Sequence, residues 1–507
     1  MHKGKKKPLA AKKGANLPEL FHRAISHHKN GQLQEALTIY DRILALKHDH
    51  VDAHTNRSVA LRQMGRYAES LASCDRAIAL KPDYARAHCE RGIVLTSLGR
   101  HDEALASYDR AIALKPDLVV AHGNRAGILY EMGRYAEAVA GCDRIIARRA
   151  DDIHAHHNRA NALLKLGRYD EALAGCNRVI ALDPQHASAW LKKALMQLLL
   201  GNYAKGLVNY EWRWRCTGEL GPRDFMATLP QWHGEPIADK TILLHAEQGL
   251  GDSIQMLRYL PLVKARAARV LLEVPETVQP LLGPLTDGVP LLTRRSLLPS
   301  FDVHCPLMSL PLAFGTRPDT IPAPVPYLTV PAGRMATWRS RLPKSTRSRV
   351  GLVWSGSTWH LHDRERSIAL DRLAPLLRLP GISFLSLQRE YRDTDLPALA
   401  RLPIERIDGA LADLGDTAAA IGQCDLVISV DTAVAHLAGS LGRPLWLLLP
   451  YVPDWRWLLG RADSPWYPGA RLFRQDKPDD WESVIADVAN ELPAFVAGVH
   501  HAGRDGG

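Results

Sequence analysis

Six glycines, Gly31, Gly65, Gly99, Gly133, Gly167 and Gly201, stand 34 residues apart and set the frame of the N-terminal part of the chain. A 34-residue period is one helix–turn–helix unit, too small to bury its own apolar face, so successive units must stack. Other positions keep the same period. Tyr67, Tyr135, Tyr169 and Tyr203 recur, as do Ala36, Ala104, Ala138 and Ala172, and Pro82, Pro116 and Pro184 close the second helix of their units.

These positions, with the phrase Gly133-Arg134-Tyr135-Ala136-Glu137-Ala138, resemble the tetratricopeptide repeat over about residues 17–215. Tyr40, Cys74, Tyr108, Cys142 and Cys176 share one repeat position, where the motif places a packing residue; core packing is the expectation there, not redox chemistry. His54, His88, His122 and His156 also recur, one per unit and too far apart to share a metal, so they are expected to pack. Arg57, Arg91, Arg125 and Arg159 replace an apolar residue of the motif, with Asp75, Asp109 and Asp143 on the second helices of the same units. Arginine is seldom buried unpaired, which predicts a ladder of Arg–carboxylate pairs. Asn56, Asn124 and Asn158 precede three of these arginines, with Glu90 breaking the series. A comparable asparagine ladder in the nucleocytoplasmic O-linked N-acetylglucosamine transferases lines the concave face, and the resemblance implies a protein or peptide bound there.

A 507-residue chain exceeds one core and implies several domains. Lys3, Lys5, Lys6, Lys7, Lys12 and Lys13 supply over half of the net charge of +10, so the run is expected to be a solvated tail and no specific nucleic-acid partner is implied. That run has no apolar stretch behind it and the chain carries no transmembrane-length segment, which points to a cytoplasmic protein and leaves peripheral membrane contact open. Seven cysteines without a CxxC pair argue against a zinc site or disulfide framework. No metal and no cofactor are expected.

From Thr241 the pattern changes to short apolar runs followed by helical stretches, the signature of parallel α/β layers. Strands are expected at Thr241 to His245, Val270 to Val274, Val350 to Trp354, Ser383 to Leu387, Leu426 to Val430 and Leu445 to Leu449. Between Pro322 and Ser348 the chain is rich in Pro, Arg and Ser, with Pro322, Pro324, Pro326 and Pro331 close together, which reads as the linker between two lobes. The first lobe opens on Gln248-Gly249-Leu250-Gly251-Asp252, a glycine turn at a helix start. Asp252 is either a helix cap or a general base facing the interlobe cleft. In the second lobe, Ser355 to Thr358 and then His360, His362, Arg364 and Arg366 form a loop that is either an exposed basic stretch or a diphosphate cradle. Asp431-Thr432-Ala433 follows the strand Leu426 to Val430 and opens a helix containing His436. Its free N–H groups and positive dipole end suit an anion, although Thr432 is equally an ordinary N-cap. The aromatics at Asp454 to Trp457 and Ser464 to Pro468 are expected to fill the lobe interface rather than stack on a ligand.

Together GLGD at 249–252, the WSGS loop at 354–367 and VDTAVAHLAG at 430–439 resemble the lipopolysaccharide heptosyltransferases and their relatives, two-lobed GT-B-type enzymes that act without a metal. The resemblance covers about residues 236–495. With the repeats, the chain is similar to bacterial tetratricopeptide proteins carrying a heptosyltransferase-like domain. The resemblance implies a nucleotide-diphosphate sugar as donor and an inverting transfer. Asp252 would be the catalytic base, with Gln248, Gly249 and Gly251 forming its cleft loop. Ser357, Thr358, Asp431, Thr432, Ala433 and His436 would bind the donor, with Arg364 or Arg366 in place of the family's lysine. The acceptor is a protein held by the solenoid or a glycan. His436 is expected to face the cleft, and lobe closure to assemble the site.

The expected architecture is therefore multidomain: a basic tail at 1–16, an all-α tetratricopeptide solenoid at 17–215, a GT-B acceptor lobe at 216–335, a linker at 336–348, a donor lobe at 349–498 and a tail at 499–507. The rival from another class is a protein-interaction scaffold whose glycosyltransferase-like domain keeps only the fold.

Overall fold

The computed structural model describes residues 16–216, 223–322, 325–342, 347–358 and 363–502. The lysine-rich run expected as a tail lies outside them, as do His360 and His362. The chain forms two compact units, Met1–Asp183 and Pro184–Gly507.

The first unit is a series of antiparallel helix pairs, beginning Leu17–Lys29 with Leu33–Leu46 and Val51–Gln63 with Tyr67–Leu80, and ending Ile153–Lys165 with Tyr169–Leu182. Each first helix ends at a periodic glycine whose φ lies between +69° and +77°, a left-handed turn that a side chain would strain. The repeat position held by Tyr40, Cys74, Tyr108, Cys142 and Cys176 is buried throughout. Where it is large, its neighbour is small: a Cβ on Gly92 would come within 2.6 Å of the Tyr108 ring.

The recurring histidines do more than pack. Nε2 of His54, His88, His122 and His156 bonds the carbonyl six residues earlier, at 3.0, 3.0, 2.9 and 2.9 Å. A carbonyl only accepts, so each Nε2 carries the proton. In the second unit, Trp190 at the same repeat position donates its indole N–H to Pro184 O at 3.0 Å. The histidines thus substitute for a tryptophan donor.

The arginine ladder is present, and it links neighbouring repeats. Arg57, Arg91, Arg125 and Arg159 bond Asp41, Asp75, Asp109 and Asp143 at 2.6 to 2.8 Å, each carboxylate lying on the second helix of the preceding unit, not of the same unit. These carboxylates are half exposed, so Arg125→Met is expected to cost under about 1 kcal/mol by urea denaturation.

The second unit begins with Ala187–Leu199 and Tyr203–Tyr210, a helix pair expected to close the solenoid before residue 215. Its side chains serve the sheets instead. Tyr203 accepts the Trp466 indole N–H at 3.2 Å, Tyr210 exchanges hydrogen bonds with Gln248, and the buried Arg213 guanidinium pairs with Glu211 and Glu247. Two all-parallel sheets follow. The first, β1 (Ile237–His245), β2 (Ala267–Glu273), β3 (Leu291–Leu292) and β4 (Val303–Pro306), has the order β3-β2-β1-β4. The second comprises β5 (Ser348–Val353), β6 (Ile382–Ser386), β7 (Ile404–Arg406), β8 (Leu426–Val430), β9 (Leu445–Leu449) and β10 (Ala470–Arg474). Its order is β10-β9-β8-β5-β6-β7.

Two expected boundaries move. Residues 336–341, expected in a linker, belong to the helix Ala332–Arg341, while 343–346 lie outside the described residues. That helix is anchored to the helix that precedes β8, Leu414–Ile421: Arg334 pairs with its N-cap Asp413 and with Asp416, and the buried Trp338 donates to Asp416 at 3.0 Å. The final helix, Trp481–Ala502, continues past the expected boundary at 499, its apolar face packing on the core with Val350, Ile428 and Leu448. Among the described residues no helix is long and apolar enough to cross a membrane.

Candidate functional site at the sheet switch points

In the second sheet β5, β6 and β7 run outward on one side and β8, β9 and β10 on the other, so connections reverse direction between β5 and β8. In open parallel sheets ligands sit outside the strand carboxyl ends at such a reversal. The loops leaving β5 and β8 there are 354–358 and Asp431-Thr432. The first sheet reverses between β1 and β4, and β1 leads into Gln248 to Asp252.

The helices Leu250–Met256 and Ala433–Ser440 bring the two sheets' loops together, packed through Gly251. A Cβ on Gly251 would stand 2.7 Å from His436 Cδ2 and 3.5 Å from Ala433 Cα, so close approach, not a turn, requires glycine there. Asp252 accepts the Gly249 N–H through Oδ2 at 2.8 Å and pairs through Oδ1 with Arg456. It therefore caps the helix and also lies where the two sheets' loops meet, its side chain 22% exposed. Gln248 is turned away, onto Tyr210.

Asp431 stands across this contact, its side chain 17% exposed. Burial, then the charge of Asp454, push its carboxyl up to about 6, against the opposing pull of Trp457, Arg456 and Arg366. Arg366 reaches the turn from the short helix Asp363–Arg366, donating to Asp431 O at 2.8 Å. Thr432 has N-cap backbone geometry without a capping side chain; its hydroxyl instead meets Ser429 Oγ at 3.2 Å. Among the described residues the N–H groups of Ala433 and Val434 have no hydrogen-bond partner, so the helix mouth retains donors for an anion.

His436 departs from expectation. It is 5% exposed, with Nδ1 2.9 Å from the Tyr467 hydroxyl and its ring stacked on Trp457. Burial, then the positive charges of Arg456, Arg258 and Arg366, hold it well below the ordinary histidine range, so it is neutral. It touches the helix that follows β1 at Gly251, yet presents no open face. The residues that seal it, Trp457 and Tyr467, come from the aromatic segment expected to fill the interface, and Trp455 and Trp466 are buried as well.

Ser357 and Thr358 are exposed at the end of the β5 loop. Thr358 and Arg364 line a groove of about 600 Å³ with Ser367, Arg392 and Thr394, beyond the carboxyl ends of β5 and β6. Asp363 forms one wall and pairs with Arg392. Arg364 and Arg366 are thereby separated, one on the groove and one on the Asp431 turn. The asparagines belong to the first unit and differ from one another: Asn56 is buried and accepts from Arg86 at 2.5 Å, Asn124 is half buried and Asn158 is exposed.

Sequence reasoning missed Asp454 and Arg456. Arg456 extends Nη1 to Asp454 Oδ1 at 2.7 Å and Nε to Gln255 Oε1 at 2.6 Å, besides its pair with Asp252. The available signal was two charges set between the tryptophans of Asp454-Trp455-Arg456-Trp457.

Residues 21–85, 58–119, 95–162 and 154–186 match the tetratricopeptide repeat family, so the N-terminal region is a tetratricopeptide solenoid, an architecture that serves protein–protein interaction. Among curated proteins the chain is similar to Protein FlbA of Caulobacter vibrioides, 26% identical over 320 residues that cover 58% of this chain and 53% of FlbA. The chain thus spans about half the length of this relative. Similar solved structures include YrrB, described as a TPR protein with an unusual peptide-binding site (19% identity, 35% of this chain, 91% of that chain, TM-score 0.32). They also include PilW, described as a widely conserved type IV pilus biogenesis factor (19% identity, 40% of this chain, 94% of that chain, TM-score 0.37).

Proposed function

We propose that the second unit is a GT-B-type, inverting glycosyltransferase that takes a hexosyl or heptosyl group from a nucleotide-diphosphate sugar without a metal, and that the repeats recruit its protein or glycan acceptor. The observation that carries this reading is the meeting of the Asp252 and Asp431 loops, each at the switch point of its own parallel sheet. In the proposed step Asp252 takes the proton of an acceptor hydroxyl as that oxygen bonds the anomeric carbon. The bond from that carbon to the diphosphate oxygen breaks on the opposite face, and its electron pair leaves with the nucleoside diphosphate. The charge so formed is met by the helix mouth at Ala433 and Val434, by Arg366, and by the hydroxyls and Arg364 bordering the groove. His436, neutral and enclosed, supports the turn rather than contacting the donor.

One observation favours the scaffold reading: both Asp252 oxygens already hold partners, Gly249 and Arg456. A thermal-shift screen of the full chain against nucleoside-diphosphate sugars separates the two readings. A bound donor at one hundred times its Kd is expected to add about 2.7 kcal/mol of stability. If no nucleotide sugar raises the melting temperature, the enzyme reading fails and the interaction scaffold stands.

A further inference from the structure

The geometry points to Arg456 as the positioning residue of Asp252, fixing the orientation of that carboxylate and holding its loop against the loop of Asp431. The inference rests on the transferase reading above. Asp252 and Gln255 lie one turn apart on the helix Leu250–Met256, and Arg456 reaches both, through Nη2 and Nε, from the segment after β9. Nη1 is returned to Asp454, which also accepts the Arg456 backbone N–H at 3.0 Å, and the guanidinium lies over the Trp455 ring. A planar fork engaged in three directions has one orientation, so the carboxylate that it grips has one as well.

The exposures separate this role from a plain buried ion pair. The arginine side chain is 7% exposed and the Asp252 side chain 22%, so the cation is enclosed while the carboxylate keeps an accessible face. An ionised carboxylate accepts about four hydrogen bonds, which leaves Asp252 capacity for an acceptor hydroxyl. Arg366 and Arg364 stand on the donor side, Arg366 on Asp431 O and Asp363 and Arg364 on the groove, which leaves Arg456 as the cation paired with Asp252. The charge of Arg456 also acts on Asp431, opposing Asp454, so one guanidinium serves both loops.

The test compares full-length wild type, Arg456→Gln, Arg456→Lys and Gln255→Met for melting temperature, donor affinity, KM and kcat. Arg456→Gln is expected to lower kcat about 100-fold with donor KM within about threefold, because misplacing a reacting group by an ångström costs that much. Arg456→Lys is expected to recover no more than about a tenth of the wild-type rate, since a point charge cannot hold three acceptors at once. Gln255→Met leaves both ion pairs in place and is expected to lower kcat about threefold to tenfold at unchanged donor affinity, which keeps the idea testable if Arg456→Gln does not fold. A lower melting temperature with wild-type kcat in Arg456→Gln, or an unchanged kcat in Gln255→Met, would overturn the role while leaving the transferase reading intact. A wild-type protein that binds no nucleotide sugar rejects both.

Discussion

Asp252→Asn is expected to lower sugar transfer by about 100- to 10,000-fold, the range for removing a general base, while donor affinity stays within about threefold. Asparagine matches the shape of aspartate and still offers one oxygen to the Gly249 N–H, so the helix cap is retained. Arg456 keeps Asp454 and Gln255, so its charge is not left unpaired. What is lost is an oxygen able to take a proton from the acceptor. Donor binding and single-turnover transfer measured on the same preparation separate the outcomes. Wild-type turnover in the variant would reduce Asp252 to the cap that its bond to Gly249 already makes it.

The second large effect concerns stability and runs in the direction opposite to most aspartate substitutions. The Asp431 carboxyl is raised from its ordinary value of 3.8 to about 6, first by burial and then by Asp454, with Arg456, Arg366 and Trp457 offsetting part of the rise. A carboxyl with a raised folded-state pKa favours folding when protonated. Its contribution is therefore present below its unfolded pKa and lost as pH rises through about 6. Asp431→Asn cannot ionise and escapes that loss. The variant is expected to match wild type near about pH 4 and to exceed it by up to about 3 kcal/mol near pH 8, in denaturant unfolding at the two pH values. A variant that instead becomes less stable than wild type as pH rises would mean that Asp431 is stabilised as an anion by Arg366 and Arg456. A thermal gain accompanied by weaker donor binding is the pattern expected of a strained functional group.

The repeats were legible because every defining contact recurs with the period. The left-handed glycines, the buried Cys and Tyr position and the arginine ladder each leave the same mark several times. The partners of that ladder were assigned within a unit, whereas each arginine reaches back to the unit before, a register that spacing alone leaves open. Strands β1, β2, β5, β6, β8 and β9 were found from their apolar runs. The others were missed for physical reasons: β3 and β7 are very short, β4 contains Cys305 and Pro306 in a four-residue strand, and β10 is an edge strand with Arg471 and Arg474. In the candidate site, strand-to-helix turns announce themselves locally, so the Asp252 and Asp431 loops were found. Arg456 joins Asp252 from far along the chain, and a pairing of that kind leaves no local pattern. The sealing of His436 was unreadable for the same reason, since Tyr467 and Trp457 come from other segments.

The periodic ring N–H bonds have a consequence for how such a chain can change. Each imidazole finds its carbonyl six residues upstream, in the segment that closes the preceding module, and each ladder arginine finds its aspartate sixteen residues upstream, on that module's second helix. Excising or duplicating 34 residues in phase therefore returns each of these ring and guanidinium donors to an equivalent acceptor. As far as these two series of contacts go, copy number is unconstrained, and the length of surface that the solenoid offers a partner can change by gene duplication without redesign of either series.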